Sequence, residues 1–575
     1  MLNLVQSPGR FLALVLFTVC VLPAGIAQAA KPNVVLVMTD DQGYGDLRCL
    51  GNKIIRTPAL DKLHDESVRL TNYHVDPTCS PTRSALMTGR YSSRTGVWHT
   101  IMGRSMMATD EITMAEIFAA NGYKTGFFGK WHLGDNYPLR PQDQGFQHVL
   151  MNGGGGVTQT PDYWDNDYFD DSYFRNGKPE KFTGYCTDIW FDNAMKFIEK
   201  NREEPFFVYI PTNAPHGPFN VAEKYSAIYR KQGVPAAQAN FWGMITNIDE
   251  NMARLRKKLD ALNLTENTIL IFTTDNGTAA GARGPKGFNV GMRGQKGSEY
   301  DGGHRVPFFV HWPAGGLTGG RDVSQLSAHI DVLPTLGDLC KLGLPSGPHA
   351  IDGKSLAPAL RSKNTDWPDR TLLVHSQRIE EPVKWRKSAV MTNRWRFVNG
   401  KELYDMTVDP GQKTNVADKH PQVVTKLTDA YETWWKSIDT RFDDYVRIGL
   451  GSKEENPARL TCHDWHTNNG PVPWNHGHIR RDLKANGFWA VDVVATGKYT
   501  VTLRTRPEHV KHPMNPGVAR VKIGNVEAKA DIPKGATSVS FTVDLKKGPA
   551  RMQTWLDEAD GKSRGAYFVD VKRVE

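Results

Sequence analysis

Three short apolar runs constrain this chain most, because each is too continuous for a half-exposed strand and each ends in a cluster of polar residues. Residues 33–38 run into Thr39-Asp40-Asp41, residues 206–210 into Thr212-Asn213-Ala214-Pro215-His216, and residues 268–272 into Thr273-Thr274-Asp275-Asn276-Gly277. Runs of this kind read as strands buried on both faces. Between and around them, helical stretches are expected over 58–66, 112–121, 185–200 and 247–262, the last acidic early and basic later. Strands alternating with helices predict an α/β fold, a mostly parallel sheet sandwiched by helices, with carboxylates delivered at the carboxyl ends of its strands.

A chain of 575 residues holds more than one core, since single cores seldom grow beyond about 300 residues. Residues 306–312 read as a further strand and 330–340 as a helix that Pro334 can bend. After residue 370 the texture changes to short strands at 372–375, 389–392 and 395–398 and an amphipathic helix at 421–437, a small α+β subdomain. After residue 449 it becomes short runs at 488–494, 498–504, 518–523, 538–543 and 565–571 separated by Gly, Pro, Asn and Asp, which favours an all-β module built as a sandwich. The expected division is a signal peptide at 1–29, a catalytic α/β domain at 30–370, the subdomain at 371–449 and the β-rich module at 450–575. That module either stabilises the main domain or walls its site and binds carbohydrate. Its Cys462-His463-Asp464-Trp465-His466 and Trp474-Asn475-His476-Gly477-His478 segments suit packing or sugar-stacking aromatics better than a second zinc site.

The run 11–22 after Arg10, with Ala27-Gln28-Ala29 behind it, has the form of an export leader. It is short and broken by Pro23 and Gly25, which argues against a stable membrane span. The expected location is therefore periplasmic or secreted. Five cysteines remain beyond the leader, an odd number, so at least one forms no intramolecular disulfide. A net charge of +9 favours encounter with anionic substrates. Without a basic stripe interleaved with aromatics, nucleic-acid binding is not expected.

The chemistry centres on Cys79-Ser80-Pro81-Thr82-Arg83, followed by Thr88-Gly89-Arg90. A proline two residues after the cysteine looks like a helix start, where free N–H groups favour an anion. Arg83, one turn on, can return its guanidinium to that end. The motif is similar to the complete signature of the formylglycine-dependent (type I) sulfatases of the alkaline phosphatase-like superfamily, over roughly residues 32–440. The resemblance implies that a maturation enzyme oxidises Cys79 to formylglycine (3-oxoalanine). It further implies that Asp40, Asp41, Asp275 and Asn276, with Cys79, hold one divalent cation, calcium rather than magnesium; three carboxylates and an amide oxygen are hard donors of the kind such ions take. Lys130 and His132 in Gly129-Lys130-Trp131-His132 resemble the family's lysine-histidine segment, and strand alternation would put both on one face. His216 resembles the histidine near the leaving group, and Lys296 the sulfate-binding lysine. Asp301 stands where relatives often carry glutamate, as a structural acid.

By the same resemblance, one hydroxyl of the hydrated aldehyde attacks sulfur with Arg83 steadying the alkoxide, Lys130 and Lys296 hold the sulfate oxygens, and His216 protonates the departing alcohol. His132 then takes the proton of the second hydroxyl, and sulfate leaves. The expected activity is hydrolysis of a sulfate monoester, a sulfated carbohydrate by the leader, the charge, the aromatic insertion at 158–174 around Trp164, and Trp465 and Trp474. The alternatives are a phosphonate or phosphate ester hydrolase of the same superfamily, or an inactive glycan-binding protein.

Overall fold

The computed structural model describes residues 1–2, 31–362 and 367–574. The expected leader, with Cys20, lies outside the described residues apart from its first two. Pro32–Glu575 forms one compact unit. Among the described residues no helix is long and apolar enough to cross a membrane, and Cys49, Cys79, Cys186, Cys340 and Cys462 are all unpaired.

The main sheet has ten strands, and its centre is parallel: Thr268–Thr274, Asn33–Thr39, Phe206–Pro211, Lys124–Lys130 and His148–Asn152, in that order. Antiparallel pairings appear towards the edges, where Phe308–His311 meets Thr268–Thr274 and Ser172–Arg175 meets His148–Asn152. The sheet is thus α/β as expected, with a parallel centre and mixed flanks. Alternation along Asn33–Thr39 divides its side chains between two cores: Val34, Leu36 and Met38 pack with Met114, Phe118, Val332 and Leu336, while Val35 and Val37 pack with Ile189, Trp190, Met244 and Ile248. Burial on both faces is the physical reason the run carries no polar residue between Asn33 and Thr39.

Most expected helices fall within two residues of the observed ones. The exception is the fourth, which spans Ala236–Ala261 and starts eleven residues earlier than its polar pattern suggests. Its first half is almost wholly buried, so it lacks the amphipathic stripe that marks a surface helix. The small antiparallel sheet adds a fourth strand, Glu402–Asp405, to the three expected. Leu427, Tyr431, Trp434, Trp435 and Ile438 of helix Pro421–Ile438 cover it.

In the tail a six-stranded and a four-stranded sheet share one core, with Tyr499, Val501 and Leu503 packed among Ala519, Val521 and Met552. Val526–Ile532 escaped the sequence reading because charged residues occupy every second position, and Ile448–Leu450, Ala458–Thr461 and Gly548–Glu558 escaped it as well. Trp465 does not face a sugar: it is fully buried in this core, its ring 5.6 Å from that of Trp489. Trp465→Ala should therefore cost about 3–5 kcal/mol of stability, measured by denaturant unfolding. A tryptophan that only stacked on ligand would leave the unfolding midpoint where it was.

Candidate active site

Strand register builds the site. Thr39 lies opposite Thr274 and Met38 opposite Pro211, so Asp40, Asp275 and Thr212 leave the sheet side by side. Asp41 takes a left-handed backbone, φ 67°, and its N–H donates to Asp275 Oδ1 at 3.1 Å. Facing these strand ends is helix Cys79–Thr88, buried along its whole length, with Cys79 in its first turn as the motif predicts. One oxygen each of Asp40 and Asp275 and the Cys79 sulfur all lie within 4.8 Å of one another.

Basic groups interleave with the acids. Arg83 donates from Nη2 and Nε to Asp275 Oδ2 at 2.7 and 3.1 Å, and from Nη1 to the Lys130 carbonyl at 2.7 Å. Lys130 Nζ donates to Asp40 Oδ2 at 2.6 Å, and Lys296 Nζ stands 2.6 Å from Asp41 Oδ1. His216 Nε2 lies 3.8 Å from Asp41 Oδ2, while its Nδ1 donates to the Gly217 carbonyl at 2.7 Å. Although burial alone would raise Asp41, the Lys296 and Lys130 charges hold its carboxyl well below the usual range. Burial and the Asp275 carboxylate push Asp40 well up, more than Lys130 offsets. Burial and Lys296 lower His216 to about 4.

The donor set fits a hard divalent cation. Asp40 Oδ1 and Asn276 Oδ1 are buried and have no hydrogen-bond partner, while the Asn276 amide turns Nδ2 to Asp41 Oδ1 at 2.9 Å. Oxygens left in that condition cost free energy unless a cation takes them, and a positive charge there would also relieve Asp40.

His132 is reached differently from the expected way. The strand ends at Lys130 and His132 follows it at φ +64°, so a turn, not alternation, brings the imidazole round. Nε2 donates to the Thr100 carbonyl at 2.9 Å, which leaves Nδ1 as a buried, unpartnered lone pair. Burial and the Lys130 charge hold this imidazole well below its ordinary pKa. The segment Gly153-Gly154-Gly155-Gly156 passes directly over it: a methyl on Gly155 would stand 2.1 Å from the ring, and one on Gly156 3.3 Å from His216 Nδ1.

Sequence reasoning missed this glycine run, and it missed His463. That tail imidazole sits 6.0 Å, ring to ring, from His132, and its Nε2 lies 3.2 Å from Gln159 Oε1, the atom that also accepts from Gly155 N–H at 2.8 Å. The tail module therefore walls the site as well as packing on the main domain. Only its position in space reveals this, since Cys462-His463-Asp464 has no metal-site spacing. A separate cavity of about 530 Å³ lies beside this loop, between main domain and tail, lined by Asp135, Gly153, Tyr163, Trp164, Arg459 and His509 among others; Cys79 is not in its wall.

A parallel-centred sheet with an acidic cage at its carboxyl edge, faced by a buried helix start, defines the alkaline phosphatase-like class of α/β hydrolase. The sulfatase family model matches residues 32–342, and the model for the C-terminal part of N-sulphoglucosamine sulphohydrolase matches 295–435. Among known proteins, an ulvan-active sulfatase of Formosa agariphila is 29% identical over 428 residues, covering 68% of this chain and 78% of its own. An N-acetylgalactosamine-6-O-sulfatase of Bacteroides thetaiotaomicron is 28% identical over 507 residues, covering 72% and 94%. The solved structure of Ps i-CgsB in complex with k-i-k-neocarrahexaose superposes with a TM-score of 0.65 at 26% identity, over 72% of this chain and 95% of that one. The chain belongs to the sulfatase family and is a sulfuric ester hydrolase.

Gly155→Ala should displace the His132 ring and lower kcat on the order of 10²-fold while the thermal unfolding midpoint stays within a few degrees. Steady-state kinetics and calorimetry on one preparation check both parts.

Proposed function

We propose that this enzyme removes sulfate from a sulfated glycan, with oxidised Cys79 as nucleophile and calcium held by Asp40, Asp41, Asp275, Asn276 and residue 79. The observation that carries the proposal is the approach of the Asp40 and Asp275 oxygens and the Cys79 sulfur to within 4.8 Å in a buried pocket. Calcium, when bound, supplies a Lewis acid that favours ionisation of a hydroxyl on the hydrated residue 79. Arg83 fixes the orientation of Asp275 and adds positive charge beside that residue. Lys130 and Lys296 place two further cations where negative charge grows on the sulfate oxygens.

His132 suits a base, because its Nδ1 lone pair is free and its Nε2–H is fixed by the Thr100 carbonyl. His216 points Nε2 into the site and is neutral at rest; a bound sulfate ester brings the negative charge that favours protonation there, as an acid for the leaving alcohol requires. The glycan assignment is supported by the relatives, since proteins named for ulvan and N-acetylgalactosamine and a neocarrahexaose complex stand among them. The cavity beside the site has half-buried Tyr163 in its wall, aromatic surface of the kind sugar rings stack on, whereas Trp164 is buried with Arg480 and Arg506 against its ring. Trp465 plays no part in it.

Every residue from Cys79 to Thr88 is buried in the folded chain, so the maturation enzyme must read the motif before folding is complete. We propose that this step comes before export through the leader at 1–29, and that the enzyme works in the periplasm or outside the cell.

Cys79→Ser should abolish sulfate release and leave the unfolding midpoint nearly unchanged; turnover by this variant would overturn the nucleophile assignment. Paired aryl sulfate and aryl phosphate esters, with a panel of defined sulfated oligosaccharides, test the substrate class, and faster phosphate than sulfate release would refute it. The pH profile follows from His132. Its neutral form is the active base and its pKa is lowered, so the acid limb of kcat should begin below the ordinary imidazole value of about 6.5. His132→Gln should lower kcat on the order of 10²–10⁴-fold and remove that limb.

A further inference from the structure

The hairpin loop at 376–387, which joins strand Leu372–His375 to strand Ser388–Met391, touches both walls of the catalytic pocket through one residue, Arg378. Its N–H donates to the Trp98 carbonyl at 3.3 Å, two residues before Thr100, whose carbonyl holds His132. Its Nη1 stands 3.8 Å from where a methyl on Gly297 would lie. Gly297 follows Lys296 and donates from its N–H to the Pro77 carbonyl at 2.8 Å, two residues before Cys79. Because Arg378 is exposed, these contacts put its guanidinium at the mouth of the site.

No acid neutralises this cation. Among the described residues the Arg378 side chain makes no ion pair or hydrogen bond. Glu380, two residues on, is buried and taken by Arg104 and His466, and Glu381 is exposed and not paired with Arg378. The loop is nevertheless pinned. Arg378 takes a left-handed backbone, φ 45°, which persists in a residue with a side chain only where the surroundings impose it. Gln377 beside it is fully buried; its amide accepts from the Val383 N–H at 2.9 Å and donates to the Val383 carbonyl at 3.1 Å. The Glu380 N–H donates to Asn469 Oδ1 at 2.7 Å.

His99, between Trp98 and Thr100, brings a second donor. Only 5% of it is exposed, and its Nδ1 accepts from the Thr100 N–H at 2.6 Å. In the neutral ring the proton therefore sits on Nε2, which has no partner among the described residues. Burial and the Arg378 charge lower His99 to about 3, so the ring is neutral and Nε2 stays a donor with a free lone pair nowhere opposed to it.

We propose that Arg378 and His99 form a second anion subsite, which takes a sulfate or carboxylate group of the glycan other than the sulfate being removed. A planar guanidinium matches the paired oxygens of either group, and a neutral N–H adds one more bond that an anion accepts. A sugar hydroxyl would leave the Arg378 charge without a counter-charge. Lys130 and Lys296 already face Asp40 and Asp41, so Arg378 is the cation in surplus at this edge of the pocket. Resting on the function proposed above, the subsite narrows the substrate to a glycan with a second negative group close to the sulfate that leaves.

The test compares kcat/KM of the mature full-length enzyme on three forms of one sulfated sugar: the parent with a single sulfate, a congener with a second sulfate on a neighbouring hydroxyl, and one linked to a uronate. Wild type should favour at least one charged congener by roughly 10- to 100-fold, mainly through KM. The congener favoured tells whether sulfate or carboxylate occupies the subsite. Arg378→Ala should bring that ratio close to one, and Arg378→Lys, which keeps the charge without the fork, should retain part of it. His99 is left intact in this test, because its Nδ1 also holds the Thr100 N–H beside the carbonyl that fixes His132. The wild-type ratio does not rely on a variant folding. Equal kcat/KM on all three sugars in the wild type, or an undiminished ratio in Arg378→Ala, would overturn the subsite and leave the sulfatase reading standing; sulfate release from no glycan at all would overturn that reading and the subsite together.

Discussion

Three carboxylates crowded into a pocket without solvent are the constraint around which the rest of this structure is arranged. Asp40, Asp41 and Asp275 repel one another and lose hydration together, a cost of several kcal/mol per buried ion unless each is paired. The chain answers with Arg83 on Asp275, Lys130 on Asp40 and Lys296 on Asp41. Each base comes from a different element, so the charge balance also ties together a helix, a central strand and a long loop. The unpartnered oxygens of Asp40 and Asn276 mark where the compensation is incomplete, and a cation fits there for the same reason.

The second tier of the site is steric. Gly155 lets backbone approach His132 so closely that no side chain would fit and Gly156 passes in tight contact with His216, and Gln159 and His463 close the wall above them. Because His463 belongs to the tail, the geometry around His132 depends on how the β-sheets of the tail pack on the main domain. The network of Glu380 with His466 and Arg104 has the same effect, joining tail to the rest of the chain through a buried hydrogen bond and a buried ion pair. Breaking such a pair by removing one partner is costly, so the tail is a fixed wall of the site.

Much of this was legible before any coordinates. The apolar runs of 33–38, 206–210 and 268–272 are strands because residues buried on both sheet faces must be apolar throughout. The start of helix Cys79–Thr88 was legible from Pro81 two residues after Cys79. What escaped shows where local pattern stops carrying information. Helix Ala236–Ala261 is buried over its first half and shows no stripe there, Val526–Ile532 is half solvated and looks like a charged loop, and Trp465 is a core residue in a segment that resembles a binding loop.

By itself the sequence determined which side chains could do chemistry, since cysteine, proline and arginine at their spacing, and acids at strand ends, need only the geometry of one helix and one strand. Tertiary structure alone decided what those groups meet. The pairing of Thr39 with Thr274 sets Asp40 beside Asp275, a left-handed turn brings His132 round, and chain folding lays His463 and the glycine run over it. It also decided that His74 and His304, 230 residues apart, share one buried contact. Such contacts are fixed by sheet register and domain packing, which are sums over the whole chain, and no window of sequence records them.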